Sequence, residues 1–179
     1  WVNDNDLEIY KKRGVYAVIN AGSNSKLASG IAPVSKMIDK GIPLAIGTDG
    51  PSSNNALDMF REMYLISATQ KLKDKNAAST DANKILEMAT VGSAKCMGLD
   101  NCDIIDKGKT ADLIVLDLNR PNMHPINNIT KNIVYSGSKE NVELTMINGK
   151  ILYENGEFVG IDTDEIYRNA QKITDRIKG

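Results

Sequence analysis

The sequence contains a single histidine, His124, in 179 residues. That scarcity excludes a good deal. A catalytic zinc ion normally takes three protein ligands, and one imidazole cannot supply them. A serine nucleophile needs an adjacent base, so Ser23 and Ser53 are excluded from that chemistry. His124 lies in Asn122-Met123-His124-Pro125 and is expected to be exposed or to pack, without a metal role. The two cysteines, Cys96 and Cys102, form no Cys-x-x-Cys pair, which argues against a zinc knuckle and for a reducing, cytoplasmic setting. Positive charge is not in excess: 22 Lys and Arg stand against 23 Asp and Glu, a net charge of −1. With no strongly basic stretch, neither nucleic acid nor an anionic membrane is expected as a partner. Apolar runs such as Leu113 to Leu116 are far too short to span a bilayer, and no signal peptide is visible.

What is present is a globular composition, 41% hydrophobic and 25% charged, with room for one domain or pieces of two. The chain opens at Trp1 rather than at a methionine and enters a polar helical stretch at once, Asn3 to Arg13, so a fragment of a longer protein is expected. Asp4 or Asn5 can cap that helix and Gly14 can end it. Val15 to Ile19 reads as a short buried strand. Ala21 to Gly30 is small and polar and reads as a long loop, a place where function concentrates. Pro33 suits the first turn of a helix carrying Val34, Met37 and Ile38. Leu44 to Ile46 reads as a strand closing in Gly47-Thr48-Asp49-Gly50. Helix, strand, loop, helix, strand is the alternation of a parallel α/β sheet or barrel.

Two longer helices are expected next. One starts near Asn55 with Leu57, Phe60, Tyr64 and Leu65 inward. The other is capped by Thr80, carries Ile85, Leu86, Ala89 and Cys96 on one face, and ends at Gly98. Beyond residue 100 the character changes. Ala111 to Leu118 and Asn132 to Tyr135 read as strands. Val142, Leu144 and Met146 alternate with Glu143 and Thr145. Asn148-Gly149 and Asn155-Gly156 signal hairpins that need positive φ. Asp162 and Glu165 have capping-box spacing and open a last helix with Ile166, Ala170, Ile173 and Ile177 on one face.

An Asp-Gly after a strand is usually only a turn. Yet the carboxyl end of a parallel strand is where α/β enzymes place catalytic groups, which makes Asp49 a candidate. Asn54 and Asn55 are expected to cap the next helix and to brace the Asp49 loop. The Gly-rich stretch Ala28 to Gly30 lacks the ending of a phosphate loop. Met59, Phe60 and Met63 at helical spacing read as core.

Four segments in order carry a resemblance. They are Gly22-Ser23-Asn24-Ser25-Lys26-Leu27-Ala28-Ser29-Gly30, Ile46-Gly47-Thr48-Asp49-Gly50-Pro51-Ser52-Ser53-Asn54-Asn55, Gly108-Lys109-Thr110-Ala111-Asp112-Leu113-Ile114-Val115, and Ile147-Asn148-Gly149-Lys150. Together they resemble the amidohydrolase superfamily, in its branch of deaminases of 5′-methylthioadenosine, S-adenosylhomocysteine and 5′-deoxyadenosine. The resemblance implies an α/β fold: the C-terminal portion of a metal-dependent (β/α)8 barrel, part of a composite β-sandwich, and a terminal helix. The expected divisions are 1–100, 101–161 and 162–179. It also implies that Asp49 is a metal ligand that touches substrate and carries a proton, with Ser23, Asn24, Asn54 and Asn55 supporting it.

The implied reaction is attack of a metal-bound hydroxide on C6 of the adenine, releasing ammonia. The implied metal is divalent, zinc or else iron. The family's remaining histidine ligands and catalytic acid are not matched, and a whole barrel takes about 250 residues. This chain by itself is therefore expected to hold no metal and to be inactive. One departure lies in the matched region: Ile19 and Ala21 stand where relatives often have His and Pro, which leaves the substrate branch open. Guanine or cytosine deaminases and triazine chlorohydrolases are the enzyme alternatives, and a non-catalytic assembly piece is the other. An incomplete barrel exposes strand edges and apolar faces, so self-association or association with an N-terminal part is expected.

Overall fold

A computed structural model describes residues 2–179. The chain folds as two compact units. One comprises the chain up to Lys109 together with Leu118–Asn141; the other comprises Thr110–Asp117 and Val142–Gly179.

The first unit begins with α1 (Asp4–Arg13). Its cap is Asn3, one residue earlier than expected. Asn3 accepts from the Asn5 and Asp6 amides while Asp6 returns the bond to the Asn3 amide, and Gly14 ends the helix at φ 62°. Strand β1 (Ala17–Ile19) runs parallel to β2 (Leu44–Ile46), pairing Ala17 with Leu44 and Ile19 with Ile46. Between them lie α2 (Ala21–Lys26) and α3 (Val34–Asp39). The turn α4 (Pro51–Asn54) and the helix α5 (Met59–Asp74) follow β2. Next come α6 (Ala82–Glu87), a π-helical turn (Met88–Gly92) and α7 (Ser93–Cys96). The core gathers Val34 and Met37 from α3, Met63 and Ile66 from α5, and Ile85 from α6, each nearly or wholly buried.

The two edges of this small sheet differ. On β2 the Ser93 hydroxyl accepts from the Ile46 amide (3.2 Å) and donates toward the carbonyls of Met88 (2.8 Å) and Ile46 (3.2 Å). The π-helical turn thus occupies the side where another strand would pair. On β1, among the described residues, no strand pairs with the outer edge.

Several expectations are corrected. The loop expected over Ala21 to Gly30 is helical as far as Lys26, because Ala21, Gly22 and Ser23 are small enough to be buried and the turns close through Asn24 N to Asn20 O and Leu27 N to Ser23 O, each 2.9 Å. The helix expected from Asn55 starts at Met59, capped by Asp58. Asn55 itself has φ 70° and breaks the chain after α4. Leu57 and Tyr64 are not inward but 64% and 50% exposed; Glu62, Ser67 and Gln70 occupy the buried face instead. Asp81, not Thr80, caps α6. Asn132 to Tyr135 is not a strand but the end of α8 (Ile129–Tyr135), capped by Asn128 and anchored by buried Val134.

The second unit is the antiparallel meander β3 (Leu113–Leu116), β4 (Val142–Ile147), β5 (Lys150–Glu154) and β6 (Glu157–Phe158). Both expected hairpin turns occur: Asn148 and Gly149 have φ 50° and 75°, Asn155 and Gly156 have φ 52° and 91°, the geometry that matches strand twist. Asp162 caps α9 (Thr163–Lys178) by accepting from the Glu165 amide at 2.8 Å. None of the residues of α9 is buried, and Ile166, Ile173 and Ile177 stand exposed.

Candidate active site at Asp49

Strand β2 is buried along its length, and its chain leaves through Gly47 and Thr48 to Asp49. Asp49 has φ 59°, the left-handed region that aspartate tolerates better than most residues. Its carboxylate is exposed at the carboxyl end of the strand. Ser23 donates its hydroxyl to Oδ2 at 2.7 Å, and the Gly50 amide donates to Oδ1 at 2.8 Å. The Ser23 hydroxyl, then the Gly50 amide and the Ser53 hydroxyl, hold the Asp49 carboxyl below its ordinary range against the opposing effect of desolvation. A group so placed is an anion at neutral pH with lone pairs left over on both oxygens.

Of the residues expected beside it, Ser23 is 3% exposed on α2 and touches Asp49 directly. Asn54 is 2% exposed and donates from Nδ2 to the Thr48 carbonyl at 2.6 Å, bracing the loop from behind. Asn55 accepts from the Lys26 ammonium, which also donates to the Ser52 carbonyl at 3.1 Å; it ties α2 to α4 and makes no hydrogen bond to Asp49 among the described residues. Neither asparagine caps α5, since Asp58 does. Asn24 makes no hydrogen bond to Asp49 among the described residues. It lines a groove beside β1 with Tyr10, Tyr16, Val18 and Ile31. His124 is exposed in the segment after β3.

One buried group was not anticipated. Glu62 on α5 is fully buried and accepts from the Gly22 amide (2.8 Å) and from Asn54 Nδ2 (2.8 Å). Its signal in the sequence was a carboxylate at helical spacing from Ile66 on a core-facing stripe, beside methionines that read as plain core.

Among the described residues no group of three or more His, Cys, Asp and Glu is placed to hold a metal ion. A lone carboxylate falls short of the three protein ligands that a catalytic zinc ion normally takes.

A carboxylate at the carboxyl end of a parallel strand, held by Ser23 on the helix that follows the neighbouring strand, stands where barrel-type α/β enzymes place their catalytic groups. The chain belongs to the amidohydrolase family, whose sequence profile matches residues 1–152. It is 42% identical over 175 residues to the 5-methylthioadenosine/S-adenosylhomocysteine deaminase of Clostridium tetani, covering 97% of this chain and 41% of that protein. It is likewise 42% identical over 180 residues to the 5'-deoxyadenosine deaminase of Methanobrevibacter smithii, covering 99% and 41%. The crystal structure of an adenosine deaminase from Xanthomonas campestris with bound zinc superposes with a TM-score of 0.95 at 33% identity, over 99% of this chain and 40% of that one. The chain thus spans about two-fifths of the length of the relatives it matches, and its fold is a portion of the amidohydrolase barrel with an antiparallel β unit. Among the described residues no helix is long and apolar enough to cross a membrane.

Proposed function

We propose that this chain is the Asp49-bearing part of a cytoplasmic, metal-dependent aminohydrolase that removes the C6 amino group of a 5′-modified adenosine as ammonia. The substrate class is 5′-methylthioadenosine, S-adenosylhomocysteine or 5′-deoxyadenosine. The reading is carried by one observation: a carboxylate at the end of β2, fixed by Ser23 and Gly50, in a chain about two-fifths identical to proteins named for those deaminations. Zinc is the preferred metal, with iron second. When bound, the ion supplies Lewis acidity that makes a nucleophile of water near neutral pH.

Asp49 serves in two ways. Its free lone pairs offer one ligand position. As proton carrier it takes a proton and passes it to departing ammonia, and the Ser23 hydroxyl and then the Gly50 amide keep it in the ionised form that can accept one. Ser23 and Asn54 hold it in place. The remaining ligands come from an N-terminal part or from another copy. The outer edge of β1, which no strand pairs among the described residues, and exposed Val18 and Ile31 support that association. The partner classes are a small nucleoside and protein, with no nucleic acid and no membrane.

The test is a chimaera in which residues 1–179 replace the matching part of the Clostridium tetani enzyme. Ammonia release from 5′-methylthioadenosine is expected, with a fall of about 10²–10⁴-fold in Asp49→Asn. Full activity in Asp49→Asn would overturn the assignment. So would stoichiometric metal and turnover by the isolated 179-residue chain, which is expected to be inactive.

A further inference from the structure

A fully buried carboxylate is costly unless its lone pairs are met, and most such groups are paired with a cation. Glu62 is buried to 0% exposure, yet no lysine or arginine among the described residues forms an ion pair with it. Its two partners are both neutral donors. Oε2 takes the Gly22 amide at 2.8 Å, and Oε1 takes Asn54 Nδ2 at 2.8 Å.

Each partner leads onward to Asp49. Gly22 is followed by Ser23, whose hydroxyl holds Asp49 Oδ2. The nitrogen of Asn54 also donates to the carbonyl of Thr48 at 2.6 Å, the peptide that enters Asp49. The two arms close a ring: Asp49, Ser23, Gly22, Glu62, Asn54, Thr48 and back to Asp49. Asn20, at the start of α2, makes no side-chain cap, so the first-turn amide of Gly22 depends on Glu62. Asn54 is committed in the same way. Its nitrogen serves two acceptors and its Oδ1 is buried without a partner. Turning the amide over would set its oxygen against the Thr48 carbonyl and the Glu62 carboxylate, two acceptors.

We propose that Glu62 is a positioning residue for Asp49: its buried carboxylate fixes Ser23 on one side of the ligand and the Thr48–Asp49 peptide on the other. The role rests on the reading of Asp49 as a metal ligand. A non-glycine residue at φ 59° is held there by its surroundings rather than by its own preference, and the ring is what surrounds it. Gln is nearly the same size as Glu but turns one oxygen into a donor. In Glu62→Gln either Gly22 or Asn54 must then face a donor, and one arm opens without any change in volume.

The experiment is a set of amide spectra of the metal-free, full 179-residue chain. The Gly50 amide donates to Asp49 Oδ1 and reports where the carboxylate points. Glu62→Gln is expected to move the Gly50 and Ser23 resonances by more than a linewidth, in the direction that Ser23→Ala moves Gly50. Gln70→Met removes a different buried polar group on the same helix, one that holds the Val34 amide and Ser35, and is expected to leave Gly50 where it was. An unmoved Gly50 in folded Glu62→Gln, or an equal shift in Gln70→Met, overturns the proposal. If Glu62→Gln does not fold, the wild-type chain decides: the Gly22 amide must exchange with solvent slowly, and exchange at the rate of an unstructured amide overturns the role. These readouts need neither metal nor turnover. Failure of the chimaera assay therefore counts against the proposed reaction, and an indifferent Gly50 counts against Glu62 alone.

Discussion

Gly92 presses its bare Cα against the carbonyl oxygen of Leu44, so closely that a Cβ at position 92 would overlap that oxygen. The contact joins the π-helical turn to the one strand that leads to Asp49. Alanine would gain up to about 1 kcal/mol of helix propensity, but the clash is with backbone, which can yield only by shifting β2. Overpacking of that kind costs about 1–3 kcal/mol. Gly92→Ala is therefore expected to be net destabilising, read as a lower urea midpoint with an unchanged slope.

Ser93, the next residue, accepts from the Ile46 amide on the outer side of β2 and shares its one proton between the carbonyls of Met88 (2.8 Å) and Ile46 (3.2 Å). Ser93→Ala leaves a part-buried amide without its acceptor, a loss of about 1–3 kcal/mol. It also frees a strand edge. Lower stability together with greater concentration-dependent light scattering is expected; unchanged scattering would mean that the turn covers the edge without the hydroxyl.

Asp74 accepts from the hydroxyl of Ser79, the largest cause of its lowered pKa, with Ser35 and Gln70 adding to it against desolvation. A carboxyl whose proton affinity is lowered by folding stabilises the native state above its ordinary value of 3.8, and that contribution is lost as pH falls through the folded value. Ser79→Ala raises the folded value back toward 3.8. Its deficit is expected to be greatest at neutral pH and to shrink below pH 4, measured by urea unfolding from pH 7 to pH 3.

Zinc added to the isolated chain should find Asp49 alone, where a stable site wants three protein ligands. Equilibrium dialysis is expected to give no stoichiometric uptake, with no difference between wild type and Asp49→Asn. In the chimaera the same substitution should lower retained zinc.

The sequence was most informative where structure is decided within a few residues. The asparagine–glycine pairs of the meander and Gly14 at the end of α1 act through their own backbone, and the Asp162 carboxylate through an amide three residues on. It was least informative where distant burial decides. Residues 21–26 have the composition of a loop and become helical because their small side chains fit under α5. Ile133, Val134 and Tyr135 have the composition of a strand and become helical behind the Asn128 cap. Asp49 and Ser23 were legible as candidates through their motifs. Glu62 was not, because a buried carboxylate on a core stripe shows in sequence only as a break in hydrophobic periodicity, and its partners lie up to 40 residues away.

That separation also bears on when the site forms. Every member of the ring lies between Gly22 and Glu62, and closing a loop of this length costs only modest chain entropy. The ring that holds Asp49 is thus closed wholly by residues of this chain and draws on no more distant part of a barrel. A partner supplying further ligands would meet a carboxylate already aimed, and the entropy of aiming it would have been spent during folding rather than at assembly.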